Sequence, residues 1–135
     1  MTALAYQENT VNATVPFDKI NPGTIHEVLL EIGVPPHLYG YSYLVYALEL
    51  ILIDPDCLHS VTKGLYIDIA LKFKTQPAKV ECAIRHAISA TWLRGDAEVL
   101  NSIFKNCIKP GKGIPTNTVF LARLYYYITN RENVK

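Results

Sequence analysis

The chain has 135 residues, of which 50% are hydrophobic, and this length and composition favour one folded domain and argue against a disordered chain. The formal net charge is only +1, but the charged residues are unevenly distributed. Residues 1–71 contain two basic and eight acidic side chains, whereas residues 72–112 contain eight basic and three acidic ones. A basic half on a nearly neutral protein indicates one face directed at a polyanion; mixed charge that only solvates the surface is the alternative.

The three cysteines, Cys57, Cys82 and Cys107, are an odd number without a CxxC spacing. This pattern argues against a disulfide framework and favours the reducing cytoplasm. The first residues lack the basic segment and apolar run of a secretory signal. The longest apolar stretch, residues 41–53, is shorter than the roughly 20 residues that span a bilayer. The sequence therefore predicts a cytoplasmic protein with no membrane contact.

The N-terminal part of the chain predicts a lead and a first helix. Residues 1–20 lack clear periodicity and are interpreted as a flexible lead or linker, so the folded domain is predicted over residues 21–135. Asn21 followed by Pro22 predicts the start of the first helix, with Asn21 as its N-cap. Gly33, which is followed by two prolines, predicts its end in the left-handed conformation.

The second and third helices are predicted on either side of an Asp-Pro-Asp break. Gly40 precedes the second helix, at about residues 41–53, which is apolar nearly all round and therefore central. Residues 54–56 interrupt the apolar pattern. A third helix is predicted at about residues 58–73, because apolar residues recur there at every fourth position.

The third helix and a fourth helix, at about residues 76–93, are predicted to form a helix-turn-helix. Thr75 is the expected N-cap of the fourth helix, and the connection of about three residues is too short for a long antiparallel hairpin. Ala70 is small where the two helices must cross, and Val80 and Ile84 are placed to pack back onto the third helix. Any pair of packed helices could share this spacing by chance.

Two shorter elements complete the predicted fold. Asp96 is expected to cap a fifth helix that ends at Phe104. Residues 109–115 are predicted to form a loop, because their glycines and prolines break a helix. Thr116 or Asn117 is expected to cap a last helix that runs to about residue 130. No alternation typical of strands is present, so the sequence predicts an all-α, compact bundle of about six helices with a helix-turn-helix.

The fourth helix has two chemically different faces. One is an apolar stripe of six residues: Val80, Ala83, Ile84, Ala87, Ile88 and Trp92. The opposite face, which we term the recognition face, carries side chains that could contact DNA bases: Glu81, Cys82, Arg85, His86 and Ser89. An arginine can donate to O6 and N7 of guanine, and a glutamate can accept from the amino group of cytosine. The alternative is that Glu81 and Arg85 form only a solvated ion pair.

Four cations flank the recognition face and are predicted to contact DNA phosphates: Lys72, Lys74, Lys79 and Arg94. Phosphate contacts supply affinity and position the helix without contributing sequence preference. Sequence preference is therefore expected to depend on the recognition face itself.

Five sequence blocks, taken together, resemble the C-terminal DNA-binding (effector) domain of the sporulation initiation transcription factor. They are IGVPPH at residue 32, GYSYL at 40, VTKGLY at 61, VECAIRHAISATWLRG at 80 and PTN at 115. The blocks fall in the family's order within residues 22–130. The resemblance implies a six-helix domain that binds short DNA boxes near promoters as a tandem homodimer, and that contacts the sigma subunit of RNA polymerase.

The resemblance transfers to individual residues only in part. Glu81, Arg85 and His86 match the family's recognition helix. Cys82 replaces a base-contacting arginine, Lys79 replaces an arginine that could donate twice, and Ser89 replaces a longer polar residue. Losing one guanine contact lowers discrimination by roughly 1–3 kcal/mol, so a different DNA box or weaker preference is expected.

The resemblance also suggests a polymerase contact and raises the question of the family's receiver domain. Phe104 matches the family's presumed polymerase-contacting region and Ile108 is a close substitute, whereas Val99 replaces a small polar residue. The family's receiver domain needs about 120 residues, and only about 20 precede the first predicted helix. The chain is therefore expected to be either part of a longer protein or an effector that acts without a receiver.

Functions other than DNA binding have weaker support in the sequence. Cys82 suggests an antagonist that does not contact bases but dimerises with an intact relative or binds the sigma subunit. Cys82 and His86 lie one helical turn apart, but a metal site would need two further ligands, so no metal or cofactor is expected. No phosphate loop or nucleophile motif suggests an enzyme.

Residues 125–127 are consecutive tyrosines, of which at least one must point outward and could form a dimer contact.

Overall fold

The computed structural model describes residues 22–105 and 113–134, and all regular structure in these ranges is helical. Six α-helices follow one another within these two ranges: α1 (Pro22–Ile32), α2 (Tyr39–Ile53), α3 (Tyr66–Phe73), α4 (Pro77–Arg94), α5 (Ala97–Phe104) and α6 (Asn117–Val134). The prediction of an all-α bundle with about six helices is confirmed. The predicted N-terminal lead, the Asn21 cap and most of the predicted 109–115 loop lie outside the described residues.

Helix α1 ends where the sequence predicts. Gly33 has a φ of 98°, in the left-handed region that favours glycine. The amide of Gly33 donates to the carbonyl of Leu30 at 3.1 Å, and the amide of Val34 donates to that of Leu29 at 2.9 Å. These bonds satisfy carbonyls that the last turn of a helix otherwise leaves unpaired.

Helix α2 is the central helix, and it lies directly against α4. It begins at Tyr39, so Gly40 lies inside the helix instead of preceding it. A Cβ at Gly40 would overlap with the carbonyl oxygen of Ala83 and would lie 2.7 Å from the Cβ of Ala87. The glycine therefore allows the two helices to approach backbone to backbone.

The predicted third helix at 58–73 is wrong in detail, because three kinds of helix follow one another there. A 3₁₀-helix spans Pro55–Ser60, a single π-helical turn spans Val61–Leu65, and only Tyr66–Phe73 is α-helical. The Asp54 carboxylate begins the 3₁₀-helix by accepting from the amide of Asp56 at 3.1 Å. An apolar repeat of four cannot distinguish these geometries, which differ in which carbonyl each amide bonds.

The predicted helix-turn-helix is confirmed, although its cap is not. Ala70 is 3% exposed, and Val80 and Ile84 are fully buried between the helices. Lys74 ends α3 in the left-handed conformation, and the amide of Thr75 donates to the carbonyl of Ala70 at 2.9 Å. The N-cap of α4 is consequently Gln76, with extended backbone and no side-chain bond, so the prediction of a Thr75 cap is wrong.

Three aromatic rings pack together where α4, α5 and α6 meet. Phe104 stacks on Phe120 with centroids 5.2 Å apart, and Trp92 meets both rings edge-on. Arg123 donates to the carbonyl of Ile103 from Nε at 3.2 Å and from Nη2 at 3.1 Å, which satisfies one of the last carbonyls of α5. These contacts fix α5 and α6 relative to α4.

The caps of the last two helices are as the sequence predicts. The Asp96 carboxylate accepts from the amide of Glu98 at 2.9 Å and begins α5. The Thr116 hydroxyl accepts from the amide of Val119 at 3.2 Å, so the cap of α6 is Thr116, and Asn117 is free for another contact. None of the helices in the described ranges is both long and apolar enough to cross a bilayer.

We expect Gly40→Ala to destabilise the fold, because the added methyl group overlaps with the Ala83 carbonyl and forces α2 and α4 apart. Overpacking of this kind lowers the free energy of unfolding by about 1–3 kcal/mol. Urea unfolding followed by circular dichroism measures the loss. Gly64→Ala is the matched control, because a Cβ there meets only the Ser60 Cβ, at 3.4 Å. Equal losses in both variants would contradict the proposed role of the close helix contact.

Candidate nucleic-acid interface

Helix α4 buries one face completely. Val80, Ile84, Ala87 and Ile88 are at most 1% exposed, and Ala83 and Trp92 are partly buried against the same core. The predicted apolar stripe is therefore confirmed. Thr91 lies on this face as well and is fully buried. Its hydroxyl is satisfied there because it donates to the carbonyl of Ala87 at 2.8 Å.

The recognition face is on the accessible side of α4. Cys82, Arg85 and His86 are exposed, whereas Glu81 and Ser89 are partly buried. The side chains of Arg85 and Glu81 retain 52% and 38% of their accessible surface. The five predicted base-contacting side chains thus share one surface, and those of Arg85 and His86 are open to solvent.

Arg85 is held by its neighbours on the recognition face. Its Nη1 donates to Oε2 of Glu81 at 3.0 Å, and its Nη2 donates to Sγ of Cys82 at 3.1 Å. The hydrogen bond to Cys82 and the charge of Glu81 raise the pKa of Arg85 above its ordinary value. The Glu81–Arg85 ion pair, which the sequence allows as the alternative to base contacts, is therefore present. Both side chains are exposed enough for water or DNA to replace either partner.

The four predicted phosphate-contacting cations are all exposed, but they do not form one cluster. Lys74 lies in the turn, and Lys72 lies over the ring of Tyr46, with Nζ 5.4 Å from the ring centroid. Lys79 is in the first turn of α4 and Arg94 is its last residue. At 1.5 Å per residue, Arg94 lies about 22 Å from Lys79 along the helix. Arg94 therefore lies at the opposite end of α4 from Lys79.

A cleft of about 530 Å³ lies beside the recognition face. Glu81 and Arg85 line one side, Thr62 of the π-helical turn lines another, and residues 114–119 complete it. The Asn117 side chain reaches from the start of α6 to α4, donating from Nδ2 to the backbone carbonyl of Glu81 at 3.2 Å. The sequence predicts only a capping role for Asn117, because no local pattern indicates a contact across 36 residues.

The comparison with known families agrees with this geometry. A family model described as the sporulation initiation factor Spo0A C terminal matches residues 25–128. The chain belongs to this family. The match begins within α1 and ends within α6, so it includes the helix-turn-helix and the cleft. The Spo0A C-terminal family is a DNA-binding effector domain family of a sporulation regulator, and it is not a family of enzymes.

The polymerase contact expected from the Spo0A family needs correction at one residue. Phe104 is 2% exposed and its ring lies between Phe120 and Trp92. A ring in that position is not available to a partner protein, so Phe104 supports the neighbouring surface residues from within the core. Ile108 lies outside the described residues, and Val99 is partly buried.

The three consecutive tyrosines of α6 have different surroundings. Tyr125 is 4% exposed, and Tyr126 is 54% exposed. Tyr127 is partly buried, with the guanidinium of Arg131 5.8 Å from its ring centroid. The expectation of at least one outward ring is confirmed for Tyr126, while its use as a dimer contact stays a prediction.

The two cysteines in the described ranges differ in exposure. Cys57 is partly buried, and burial, followed by the charge of Asp54, raises the pKa of its thiol from 9.0 to about 11. Cys82 is exposed on the recognition face. No group of three or more His, Cys, Asp or Glu side chains comes together within the described ranges, so Cys82 and His86 have no further metal ligand there.

At neutral pH we expect an alkylating reagent to modify Cys82 before Cys57. A pKa of about 11 instead of 9.0 reduces the thiolate fraction of Cys57 roughly 100-fold. The Cys57 rate should therefore continue to rise with pH until about 11. Peptide mapping by mass spectrometry measures each site. A saturating DNA duplex should slow the reaction of Cys82 only, and an unprotected Cys82 in that complex would contradict an interface on the recognition face.

Proposed function

We propose that this chain is a sequence-specific transcription regulator that inserts α4 into the major groove of DNA. The observation that carries the proposal is the orientation of α4, which buries its apolar stripe and exposes Arg85 and His86. A helix-turn-helix presents its second helix to the groove in this manner. Location in the cytoplasm, with the chromosome, follows as part of the proposal.

The Glu81–Arg85 pair supplies two base contacts when it separates. Arg85 then donates from two nitrogens to O6 and N7 of guanine, and the released Glu81 carboxylate accepts from the amino group of cytosine. Each hydrogen bond lost within α4 is replaced by one to a base. This exchange requires no change in the backbone of α4.

The surrounding cations position the helix. Lys72, Lys74 and Lys79 lie near the start of α4 and would contact one stretch of phosphates. Arg94 would contact another, at the far end of α4. Contacts at both ends resist rotation of the helix in the groove, which keeps the recognition face directed at the bases.

The further partners are proposed from the family. A tandem homodimer on paired DNA boxes would place exposed side chains such as that of Tyr126 at an interface. A contact with the sigma subunit would have to use exposed residues of α5 or the following segment, because the Phe104 ring is in the core.

A second candidate function follows from Cys82. Its thiol accepts from Arg85 and does not project a cation into the groove, as an arginine would. A chain with fewer base contacts could act as an antagonist that dimerises with an intact relative. Selection of bound sequences from randomised duplexes, performed at two salt concentrations, distinguishes the functions: an enriched motif supports the regulator, and stable hetero-dimers without a motif support the antagonist.

Arg85→Ala is expected to weaken binding to the selected sequence by about 1–3 kcal/mol and to leave binding to random DNA nearly unchanged, because base contacts are lost. Lys79→Ala is the matched control for a phosphate contact. It should weaken binding to both duplexes equally and reduce the salt slope of log K by about 1. Fluorescence anisotropy titrations measure these constants. An equal loss on both duplexes in Arg85→Ala would show that Arg85 contacts phosphate.

Cys82→Arg is expected to shift the selected motif toward one with an additional guanine, because the substitution adds a side chain that can donate twice to that base. Cys82→Ser controls for the loss of the thiol and should retain the parent motif. Both variants are compared by selection from the same randomised pool. If Cys82→Arg also retains the parent motif, α4 does not dock with this residue facing the bases.

A further inference from the structure

We infer that Asn117 is a positioning residue for the recognition face. It lies outside α4 and fixes the second turn of α4 relative to α3 and α6 through hydrogen bonds to Glu81 and Tyr66. The inference rests on the proposed function and extends it, because sequence preference would then depend on a residue that acts through α4 and not through a base.

The side chain of Asn117 is buried, and both protons of its amide nitrogen are engaged. Asn117 is 9% exposed, one of the few buried polar residues in the described ranges. Its Nδ2 donates to the hydroxyl of Tyr66 at 2.9 Å and to the carbonyl of Glu81 at 3.2 Å. An amide nitrogen has two protons, so both are engaged. Tyr66 is itself 5% exposed and is the first residue of α3.

The hydrogen bond from Asn117 to the carbonyl of Glu81 does not replace a backbone hydrogen bond of α4. A carbonyl oxygen has two lone pairs, so that of Glu81 can accept from Asn117 as well as from the amide one turn further along α4. The side chain of the same residue bonds to Arg85. One backbone position thus connects α6 and α3 to the pair of side chains that would contact bases.

Displacement of α4 should affect base contacts more than phosphate contacts. Base-edge bonds depend on narrow distances and angles, whereas attraction to the phosphate backbone is independent of sequence and tolerates small shifts. A residue that only stabilises the fold would change binding to all duplexes equally. The relevant quantity is therefore the specificity ratio, defined as the Kd for a random duplex divided by the Kd for the selected duplex.

We expect Asn117→Ala to lower the specificity ratio roughly three- to tenfold, the equivalent of one lost hydrogen bond, with an unchanged salt slope and unchanged binding to random DNA. In an Arg85→Ala background, the same substitution should lower the ratio by a smaller factor than in the unaltered chain, because the contact made by Arg85 is already absent. Anisotropy titrations are made on the full chain at a temperature where circular dichroism shows each variant to be folded.

Thr129→Ala is the matched control. Thr129 is a buried polar residue of the same helix, 5% exposed, and its hydroxyl bonds to the carbonyl of Tyr126 within α6. Its removal should lower stability and leave the specificity ratio intact. An equal fall in both variants would show that Asn117 acts through stability alone and would overturn the inference.

Two further measurements keep the outcomes separate. The carbonyl carbon resonance of Glu81 should shift in Asn117→Ala, because that oxygen loses a donor, and should not shift in Thr129→Ala. If Asn117→Ala does not fold, Tyr66→Phe replaces it, and an unchanged ratio there overturns the inference. A ratio near one in the unaltered chain overturns the proposed function itself, whereas a high ratio that survives Asn117→Ala overturns only the role of Asn117.

Discussion

Helices α2 and α4 cross without a side chain between their backbones, because Gly40 faces the carbonyl of Ala83. A second contact of the same kind lies past the end of α4, where a Cβ at Gly33 would lie 2.6 Å from the Cα of Gly95. Backbone contacts have little freedom to rearrange, since no rotamer change can relieve them. The orientation of α4 is therefore set by two glycine contacts, one near its middle and one just past its end, and its exposed face follows from that orientation.

The parts of this structure that the sequence predicted depend on local chemistry. The faces of α4 follow from helical spacing, and Gly33 and Asp96 end and begin helices through their own backbone or side chain. The π-helical turn and the Gln76 cap depend on which carbonyl each amide bonds, and the Asn117 bond depends on a residue 36 positions away; periodicity describes neither. Phe104 is the clearest case, because the sequence shows an aromatic residue but not the Phe120 ring that covers it.

The two explanations that the sequence allowed for Arg85 are compatible. The guanidinium pairs with Glu81 and Cys82 in the free protein, at a site with half of its surface open to water. An exposed pair of this kind contributes little to stability, so its separation opposes DNA binding only weakly. The pair also holds Arg85 along the helix before binding, which reduces the number of side-chain conformations that must be lost in the groove.

The separation of the core face of α4 from its exposed face explains why a change of residue at Cys82 would leave the fold undisturbed. Val80, Ile84 and Ala87 hold the helix, and none of them shares a surface with Cys82. In the docking that we propose, a substitution on the recognition face would therefore change which bases are contacted while the docking geometry stays the same. Asn117 is the exception to this separation, because it bonds from the core to the backbone of Glu81. A change at Asn117 would move the contacts as a group, and so would weaken preference for every sequence instead of exchanging one preferred sequence for another.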